Sequence, residues 1–236
     1  MTEYFNRLYN KDSSAFYSEL EESLNSTDKK FIITANPEAF MFGETDSEIN
    51  DMLTDEAVTV VADGIGIVKG ASMIGIEIPE RIPGVEIAQK LMLLGDKLHK
   101  SIFFFGAKPE VIEKLCELTK SKYPNLTIAG AVNGYVEDKD AVFEEIKKLS
   151  PDIVLVALGI PAQEKLIYKH YNDFEKGIFV GVGGSFDVIS GSKARAPQFF
   201  INHNIEWLYR ILREPKRIKR FYNNNVKFLL KMRNKT

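Results

Sequence analysis

The stretch DIVLVALGIPAQEKL, residues 152–166, decides the fold of this chain. It begins with a continuous apolar run, which is typical of a strand that is buried on both faces. Gly159 and Pro161 then end the strand, and a helical pattern follows with Gln163 in its first turn. A strand that leads into a helix in this way is typical of a parallel sheet, because parallel strands are joined through crossover connections.

Five further apolar runs repeat this pattern along the chain. They are FIITAN (31–36), AVTVVAD (57–63), SIFFFGA (101–107), LTIAGAV (126–132) and GIFVGVGG (177–184). Helical patterns separate most of them, so we predict an α/β fold with a mainly parallel sheet of about six strands flanked by helices. The segment MIGIEIPERIPG (73–84) breaks the rhythm and predicts a short hairpin or an irregular excursion.

The chain divides into a body and a basic tail. We expect residues 1–195 to form one α/β domain and residues 196–236, here called the tail, to form a basic, amphipathic helical appendage. From Glu206 to Thr236 there are ten basic and two acidic residues, a charge of +8, whereas the preceding 205 residues, with 21 basic and 31 acidic ones, carry −10. A cluster of basic residues at one end of a chain usually binds phosphate groups, in nucleic acid or on a membrane surface.

Other features of the sequence restrict the cellular setting. The single cysteine, Cys116, lies in the apolar pattern of a predicted helix, so core packing and a reducing compartment are indicated. The N-terminal residues lack the pattern of a secretory signal. The longest strongly apolar stretch, IVLVALGIPA (153–162), is about half of the ~20 residues that a membrane-spanning helix needs. Any contact with a membrane is therefore expected to be peripheral.

Candidate site residues follow the predicted strands. In open parallel sheets, ligands bind beyond the carboxyl ends of the strands. The polar residues and glycines at those ends are Thr34, Asn36, Asp63, Gly64, Gly66, Gly106, Asn133, Gly134, Tyr135, Gly159, Gln163, Gly181, Gly183, Gly184, Ser185 and Asp187.

The residue types alone leave the roles of these candidates open. Asp63 could be a general base at the mouth of a low-dielectric cleft or a helix N-cap. The segment GVGGSFD (181–187) could cradle a phosphate or simply make a tight turn. Arg81 could hold a phosphate or be solvated, and Gln163 could face the cleft or cap its helix.

No metal site or cofactor is expected. The three histidines, His99, His170 and His203, are scattered and form no cluster with ligand spacing. Asp138 and Asp140 spell D-x-D, a pattern with which many sugar-nucleotide transferases hold a divalent metal. Here the pattern begins a predicted helix, where acidic residues favour the positive end of the helix dipole.

Seven ordered motifs together carry a family resemblance. They are TANPEAF (34–40), VVADGIGIV (60–68), R-x-x-G (81–84), LVALGIPAQE (155–164), VGVGGSFDVISG (180–191), RAP (195–197) and EWLYRILREPKRIKR (206–220). This series closely resembles the WecG/TagA/CpsF family of bacterial glycosyltransferases, glycosyltransferase family 26, and within it the N-acetylmannosaminyltransferases of wall teichoic acid synthesis.

The resemblance implies an activity and a setting. It implies an inverting, metal-independent enzyme with a Rossmann-like sheet. Such an enzyme transfers N-acetylmannosamine from UDP-N-acetylmannosamine to the 4-hydroxyl of GlcNAc on undecaprenyl diphosphate. The product is the linkage unit of wall teichoic acid. Relatives with another donor, UDP-N-acetylmannosaminuronic acid or UDP-glucose, remain alternatives, and so does a nucleotide-binding module with an RNA-binding tail. The expected location is the cytoplasm, peripherally on the inner face of the plasma membrane, and association into a homo-oligomer remains open.

The resemblance also implies roles for individual residues. The proposed general base of the family falls on Asp63, whereas Thr34 and Asn36 would contact the acceptor or the transferred sugar. Arg81 and Gln163 match further active-site positions. The UDP side falls on Asn133, Gly134, Tyr135, Val136, Gly183, Gly184, Ser185 and Asp187. Where relatives often carry Asp, this chain has Glu86, which leaves the role of that position in doubt.

Three interpretations of the tail remain. Pro215 divides it into two helices, and on the second Phe221, Phe228 and Met232 form an apolar stripe of the kind that lies on an anionic membrane. The resemblance implies a lid over the active site whose arginines, Arg210, Arg213, Arg217 and Arg220, reach the lipid diphosphate of the acceptor. Alternatively, the tail caps the core through Trp207, Leu208 and Ile211, or binds nucleic acid, the partner that we expect least.

Overall fold

A computed structural model describes residues 1–26 and 28–233, except for the side chain of Arg217. The strands are β1 (Lys29–Ala35), β2 (Val58–Ala62), β3 (Ser101–Gly106), β4 (Thr127–Val132), β5 (Ile153–Ala157) and β6 (Gly177–Gly181). The helices of the body are α1 (Thr2–Asn6), α2 (Ser13–Asn25), α3 (Pro37–Gly43), α4 (Ser47–Thr54), α5 (Ile65–Met73), α6 (Gly84–Lys97), α7 (Pro109–Lys122), α8 (Lys139–Leu149), α9 (Ala162–Tyr171) and α10 (Ser185–Ile189). The tail contains α11 (Gln198–Asn202), α12 (Glu206–Arg213), α13 (Arg217–Phe221), a π-helical turn (Tyr222–Val226) and α14 (Lys227–Arg233).

All six strands pair in parallel in one sheet, in the order β2-β1-β6-β5-β3-β4. Each predicted apolar run contains or overlaps one of these strands, so the predicted α/β class is confirmed. Every residue of β5 and β6 is buried, as a continuous apolar run in a central strand requires. The edge strand β4 is only partly buried.

Helices cover both faces of the sheet. Because successive side chains of a strand point to opposite faces, Phe103 and Phe105 pack into one apolar cluster, whereas Ile102 and Phe104 pack into the other. The helices α3, α4, α5 and α9 contribute to the first cluster, and α2, α6 and α7 contribute to the second. The two layers leave the carboxyl ends of the strands accessible to the loops that follow them.

The excursion predicted over residues 73–84 is irregular rather than a hairpin. After α5 ends at Met73, no residue of the segment belongs to a strand. Ile78 and Ile82 are buried, and the N–H of Ile82 donates to the carbonyl of Ala62 at 2.7 Å. This contact brings Gly84, the first residue of α6, to the end of β2.

The second part of the tail packs against the body. Phe228 and Met232 are fully buried in the first cluster. A Cβ at Gly70 would lie 2.9 Å from the ring of Phe228, so α14 approaches α5 closely because Gly70 has no side chain. Phe221 stacks on Trp207 with 4.4 Å between the ring centroids. For Phe228 and Met232 the membrane-facing interpretation is therefore wrong. An apolar stripe that packs against protein has the same spacing as one that packs against lipid.

Candidate active site

The candidate residues lie in a row at the carboxyl ends of the strands. The strand order places Asp63 after β2 at one edge, Thr34 and Asn36 at the end of β1 beside it, and the loop 183–187 after β6 next in line. Gly159 after β5 and Gly106 at the end of β3 follow, and the turn 133–136 after β4 lies at the opposite edge. We call this series of strand ends the rim. It spans five strand spacings, roughly 24 Å.

Asp63 lies at the β2 end of the rim. Its backbone N–H donates to the carbonyl of Ala35 at 2.9 Å, and its Oδ1 accepts the N–H of Gly84 at 2.8 Å. Burial among protein atoms raises the pKa of the Asp63 carboxyl, whereas the N–H of Gly84 and the guanidinium groups of Arg210 and Arg81 act to lower this pKa. A carboxylate with a raised pKa is a better proton acceptor than an exposed aspartate. The raised pKa of Asp63 therefore suits a general base. Its hydrogen bond with Gly84 also fixes the start of α6.

Thr34 and Asn36 are held by hydrogen bonds at the end of β1. The hydroxyl of buried Thr34 donates to the carbonyl of Gly181 at 2.9 Å, which ties β1 to β6. The Oδ1 of Asn36 accepts the N–H of Ala39 at 3.1 Å and caps α3. Both side chains therefore have structural partners, and both lie next to Asp63 on the rim.

Arg81 is held by the tail. Its Nε donates to Asn204 Oδ1 and its Nη1 to Glu206 Oε2, both at 2.9 Å. Glu206 also lies 4.0 Å from Arg210 Nη2. The cations that lower the pKa of Asp63 thus share one carboxylate of α12, which shows that the tail reaches the Asp63 end of the rim. The sequence gives no indication of this pairing, because Arg81 and Glu206 are separated by 125 positions.

Gln163 is almost fully buried and joins two loops of the rim. Its Oε1 accepts the N–H of Gly159 at 3.1 Å and the N–H of Gly183 at 3.0 Å. The first of these bonds agrees with the capping role considered from the sequence, and the second links the β5 and β6 loops. The Gln163 amide therefore stabilises the rim by holding the β5 and β6 loops together. Its 1% exposure leaves no room for a substrate to touch it in this conformation.

Glu164 lies beside the rim and is not among the candidates selected from the sequence. It is only 2% exposed, its Oε1 accepts from Gln163 Nε2 at 2.8 Å, and no described group is hydrogen-bonded to its Oε2. Burial raises the pKa of this carboxyl to about 7, with a smaller contribution from the negative charge of Glu38. A glutamate in the first turn of a helix is usually explained by the helix dipole. The residue type therefore does not indicate that this carboxyl is buried.

The pKa of Glu164 is expected to make the stability of the protein depend on pH. Because the folded pKa of about 7 lies above the ordinary value of 4.5, the folded state keeps a proton that the unfolded state releases. The free energy of unfolding should therefore fall as the pH rises from 4.5 to about 7, and should stay low above it. A Glu164→Gln variant has no such proton, so it should gain up to about 3 kcal/mol relative to the unmodified protein between about pH 5 and about pH 8. Urea unfolding of both proteins at the two pH values measures this difference, and identical pH dependence would contradict it.

The predicted UDP side occupies two places on the rim. In the β6 loop, Gly183 has a positive φ of 51°, and no described heavy atom lies within 4 Å of the position that a Cβ would take there or at Gly184. The hydroxyl of Ser185 donates to the carbonyl of Val182, and Asp187 pairs with Lys193 at 3.5 Å.

At the opposite edge of the sheet, the turn 133–136 is held by one hydrogen bond within the turn and one to the loop that follows β3. Asn133 Oδ1 accepts the N–H of Tyr135 at 2.9 Å, and the N–H of Gly134 donates to the carbonyl of Ala107 at 2.8 Å. The side chain of Tyr135 is 71% exposed, whereas Val136 packs against the first cluster. An exposed aromatic ring on a fixed turn is available for stacking on a ligand.

The three tail arginines whose side chains the structure describes do not form one group. Arg220 holds Glu38, in the first turn of α3, through its Nε at 3.2 Å and its Nη2 at 2.7 Å. Arg210 lies near Glu206, and the guanidinium of Arg213 lies 5.8 Å from the ring of Tyr209. The side chain of Arg217 lies outside the described residues. Glu38, like Glu206, is an acidic partner that sequence reasoning did not single out.

Glu86, whose role the sequence left in doubt, has a partner. Its Oε1 accepts from Arg195 Nη2 at 2.5 Å. This ion pair joins α6 to the RAP segment that leads into the tail. The longer side chain at position 86 therefore has a defined structural contact.

The D-x-D pattern has structural partners as well. Asp138 Oδ1 accepts the N–H of Ala141 and caps α8, while Asp140 pairs with Lys169 and His170. In the described ranges, Glu144, His170 and Asp173 bring three potential metal ligands within 4.8 Å of one another. Both ring nitrogens of His170 already contact carboxylates, those of Asp140 and Asp173, so the cluster has a structural explanation.

Comparison with known proteins adds a family and several relatives. Residues 6–236 match the family described as "Glycosyl transferase WecG/TagA/CpsF family". Three relatives are each named N-acetylglucosaminyldiphosphoundecaprenol N-acetyl-beta-D-mannosaminyltransferase. The relative from Bacillus spizizenii is 39% identical over 88% of this chain and 80% of its own length. The relative from Bacillus subtilis is 40% identical over 80% and 73%, and that from Staphylococcus aureus is 38% identical over 83% and 76%.

Proposed function

The chain belongs to the WecG/TagA/CpsF family of glycosyl transferases, and we propose that it transfers N-acetylmannosamine from UDP-N-acetylmannosamine to GlcNAc-diphosphoundecaprenol. The names of the three relatives support this substrate pair. The acceptor atom is the 4-hydroxyl of GlcNAc, and the product is the linkage unit of wall teichoic acid. The donor sugar is transferred with inversion at its anomeric carbon.

The strand order β2-β1-β6 is the observation that carries this proposal. It separates Asp63 from the 183–187 loop by two strand spacings, roughly 10 Å, with Thr34 and Asn36 between them. Inversion needs a base on the side of the sugar opposite the leaving group. A sugar bound over the end of β1 would have Asp63 on one side and the leaving diphosphate on the other.

The strand ends from β6 to β4 have room and groups for the nucleotide part of the donor. A nucleotide that extends from the 183–187 loop toward β4 would pass Gly159 and Gly106 and reach the turn 133–136. The exposed ring of Tyr135 is then available for stacking on uracil. The order of groups along the rim is thus the order of base, diphosphate and sugar in the donor.

Transfer requires a proton acceptor and stabilisation of the leaving group. Asp63 removes the proton of the acceptor hydroxyl as the new bond forms at the anomeric carbon and the bond to the UDP oxygen breaks. The N–H groups of Gly183 and Ser185 already donate to Gln163 and Val182. The other backbone N–H groups of the 183–187 loop would stabilise the departing diphosphate, in a reaction that we propose is metal-independent.

The charges near Asp63 favour a neutral donor sugar. A uronic acid would need an additional cation beside its carboxylate. The two cations that act on Asp63, Arg81 and Arg210, both pair with Glu206. We therefore propose N-acetylmannosamine rather than its uronic acid as the transferred sugar.

We propose that the tail also binds the inner face of the membrane, where the acceptor is held. In the described ranges, no helix has both the length and the apolar character needed to cross a bilayer. Leu212, Ile218 and Tyr222 are each more than half exposed, and the basic side chains of Arg213 and Lys219 are exposed along the same helices. Exposed apolar and basic side chains together suit an anionic membrane surface.

An assay of UDP release decides the donor. With a GlcNAc-diphosphate-lipid analogue as acceptor, we expect kcat/KM for UDP-N-acetylmannosamine to exceed that for its uronic acid and for UDP-glucose by at least about tenfold. The anomeric configuration of the product, measured by NMR, should be inverted relative to the donor. A preference for the uronic acid would replace the proposed donor. Binding of RNA at physiological salt without binding to anionic liposomes would instead favour a nucleotide-binding module.

A further inference from the structure

Two glycines on neighbouring loops of the rim share a single acceptor atom. Gly159 follows β5 with φ of 81°, and Gly183 follows β6 with φ of 51°. Both donate their N–H groups to Gln163 Oε1, at 3.1 Å and 3.0 Å. The relative position of the two loops therefore depends on which way the amide of Gln163 points.

A side-chain amide can bind these two N–H groups in only one orientation. Its oxygen accepts hydrogen bonds, whereas its nitrogen can only donate. Rotation of the amide by 180° would place Nε2 against two N–H donors and would lose both bonds. The two N–H groups thus favour the observed orientation, and an acceptor beside Nε2 would favour it further.

Glu164 supplies that acceptor. Its Oε1 accepts from Gln163 Nε2 at 2.8 Å, a bond that the rotated amide could not make with the same geometry. The pair lies directly against the end of β6, since a Cβ at Gly181 would lie 2.6 Å from Gln163 Nε2 and 3.0 Å from Glu164 Oε1. Both side chains are almost fully buried there.

We propose that Glu164 is a positioning residue for sugar transfer, which orients the Gln163 amide and thereby holds the Gly159 and Gly183 loops where the donor diphosphate binds. The location of the diphosphate rests on the proposed function, whereas the orienting contact rests on the hydrogen bonds alone.

The cost of burying this carboxyl argues against a packing role. A buried carboxyl with one oxygen lacking a partner destabilises a fold, and an apolar side chain of similar size at such a position is often neutral or stabilising. Glu164 also faces like charge, because Glu38 on α3 lies close enough to contribute to its raised pKa. If the position served packing alone, leucine would serve at least as well.

Two variants separate orientation from packing. Glu164→Gln keeps an acceptor oxygen for Gln163 Nε2, so we expect kcat to stay within about threefold of the unmodified protein. Glu164→Leu fills the space without an acceptor, and we expect kcat to fall at least about tenfold with no loss of thermal stability. If Glu164→Leu does not fold, Glu164→Met offers a more adaptable apolar side chain for the same comparison.

Hydrogen exchange tests the contact without any substrate. In Glu164→Leu the amides of Gly159 and Gly183 should exchange at least about tenfold faster than in the unmodified protein, and in Glu164→Gln they should not. In Gln163→Leu both amides lose their acceptor, so adding Glu164→Leu to it should cause no further change in exchange or in kcat.

Each outcome decides the proposal. Unchanged exchange in Glu164→Leu, equal acceleration in both Glu164 variants, or additive effects with Gln163→Leu would overturn it. If the unmodified protein does not transfer N-acetylmannosamine, the proposed function fails, while the exchange rates of the two amides still decide whether Glu164 orients Gln163.

Discussion

Replacing Asp63 by Asn is expected to lower kcat for sugar transfer by about 10³-fold or more while the affinity for UDP stays within about twofold. Asn is isosteric, and its Oδ1 can still accept the N–H of Gly84, so the start of α6 should keep its position. What the variant lacks is a basic oxygen for the proton of the acceptor hydroxyl. Steady-state turnover of a lipid-linked acceptor measures the loss, and calorimetric titration with UDP measures the affinity.

Asp51 provides a matched control for this substitution. It is an exposed aspartate on α4, and Asp51→Asn makes the same change in charge with no expected effect on kcat. Near-normal turnover by Asp63→Asn would contradict the assignment of Asp63 as the base. Loss of UDP binding together with turnover would point instead to a structural role of its bond to Gly84.

The pH dependence of kcat/KM gives an independent test of the same residue. Burial raises the pKa of Asp63, so activity should disappear as the pH falls through a value above the ordinary 3.8. Arg210 acts in the opposite direction and lowers this pKa. Arg210→Met should therefore move the acid limb of the profile to higher pH, whereas an unchanged limb would show that another group titrates.

The fold could be predicted because its determinants are local in the sequence. A strand buried on both faces needs a continuous apolar run, and the run at 153–157 is as clear in the sequence as in the sheet. The capping roles of Asn36 and Asp138 follow from residue type and position in the same way. The strand order does not, because nothing in six similar runs specifies which of them become neighbours.

The contacts of the candidate site could be predicted only in part. The rule that ligands bind at strand ends selected Asp63, Thr34 and Gln163 correctly as neighbours of one rim. The partners that determine their environment come from distant parts of the chain, such as Glu206 for Arg81. Glu164 was missed for a different reason, since its importance lies in its burial, and a glutamate beside a glutamine in a first turn gives no sign of being buried.

The tail shows the limit of amphipathic patterns. The spacing of Phe228 and Met232 predicts an apolar face but does not say whether lipid or protein covers it. In the structure the body covers it. This outcome changes how the tail must be tested. A deletion of residues 196–236 should abolish transfer, but it would also expose apolar surface, with each buried side chain contributing roughly 1.5–3 kcal/mol.

Neutralising three arginines of the tail avoids that difficulty. In a variant with Arg210→Gln, Arg213→Gln and Arg220→Gln, we expect KM for the lipid-linked acceptor to rise about 100-fold and binding to anionic liposomes to be lost. The expected size follows from about 1 kcal/mol for each basic residue near an anionic surface. UDP affinity should stay unchanged, since the predicted UDP side lies in the 183–187 loop and the turn 133–136. Flotation with liposomes and acceptor titrations provide the two measurements.

A matched triple variant on α7 separates location from net charge. Lys114, Lys120 and Lys122 are exposed on a helix that packs in the second cluster, whereas α14 of the tail packs in the first. Changing all three to Gln removes the same charge, so it should leave the acceptor KM and liposome binding nearly unchanged. If both triple variants lost liposome binding equally, the attraction would depend on net charge alone. If the arginine variant kept its acceptor KM, the tail arginines would serve only their contacts with Glu38 and Glu206, and docking of the lipid diphosphate would have to be assigned to other residues.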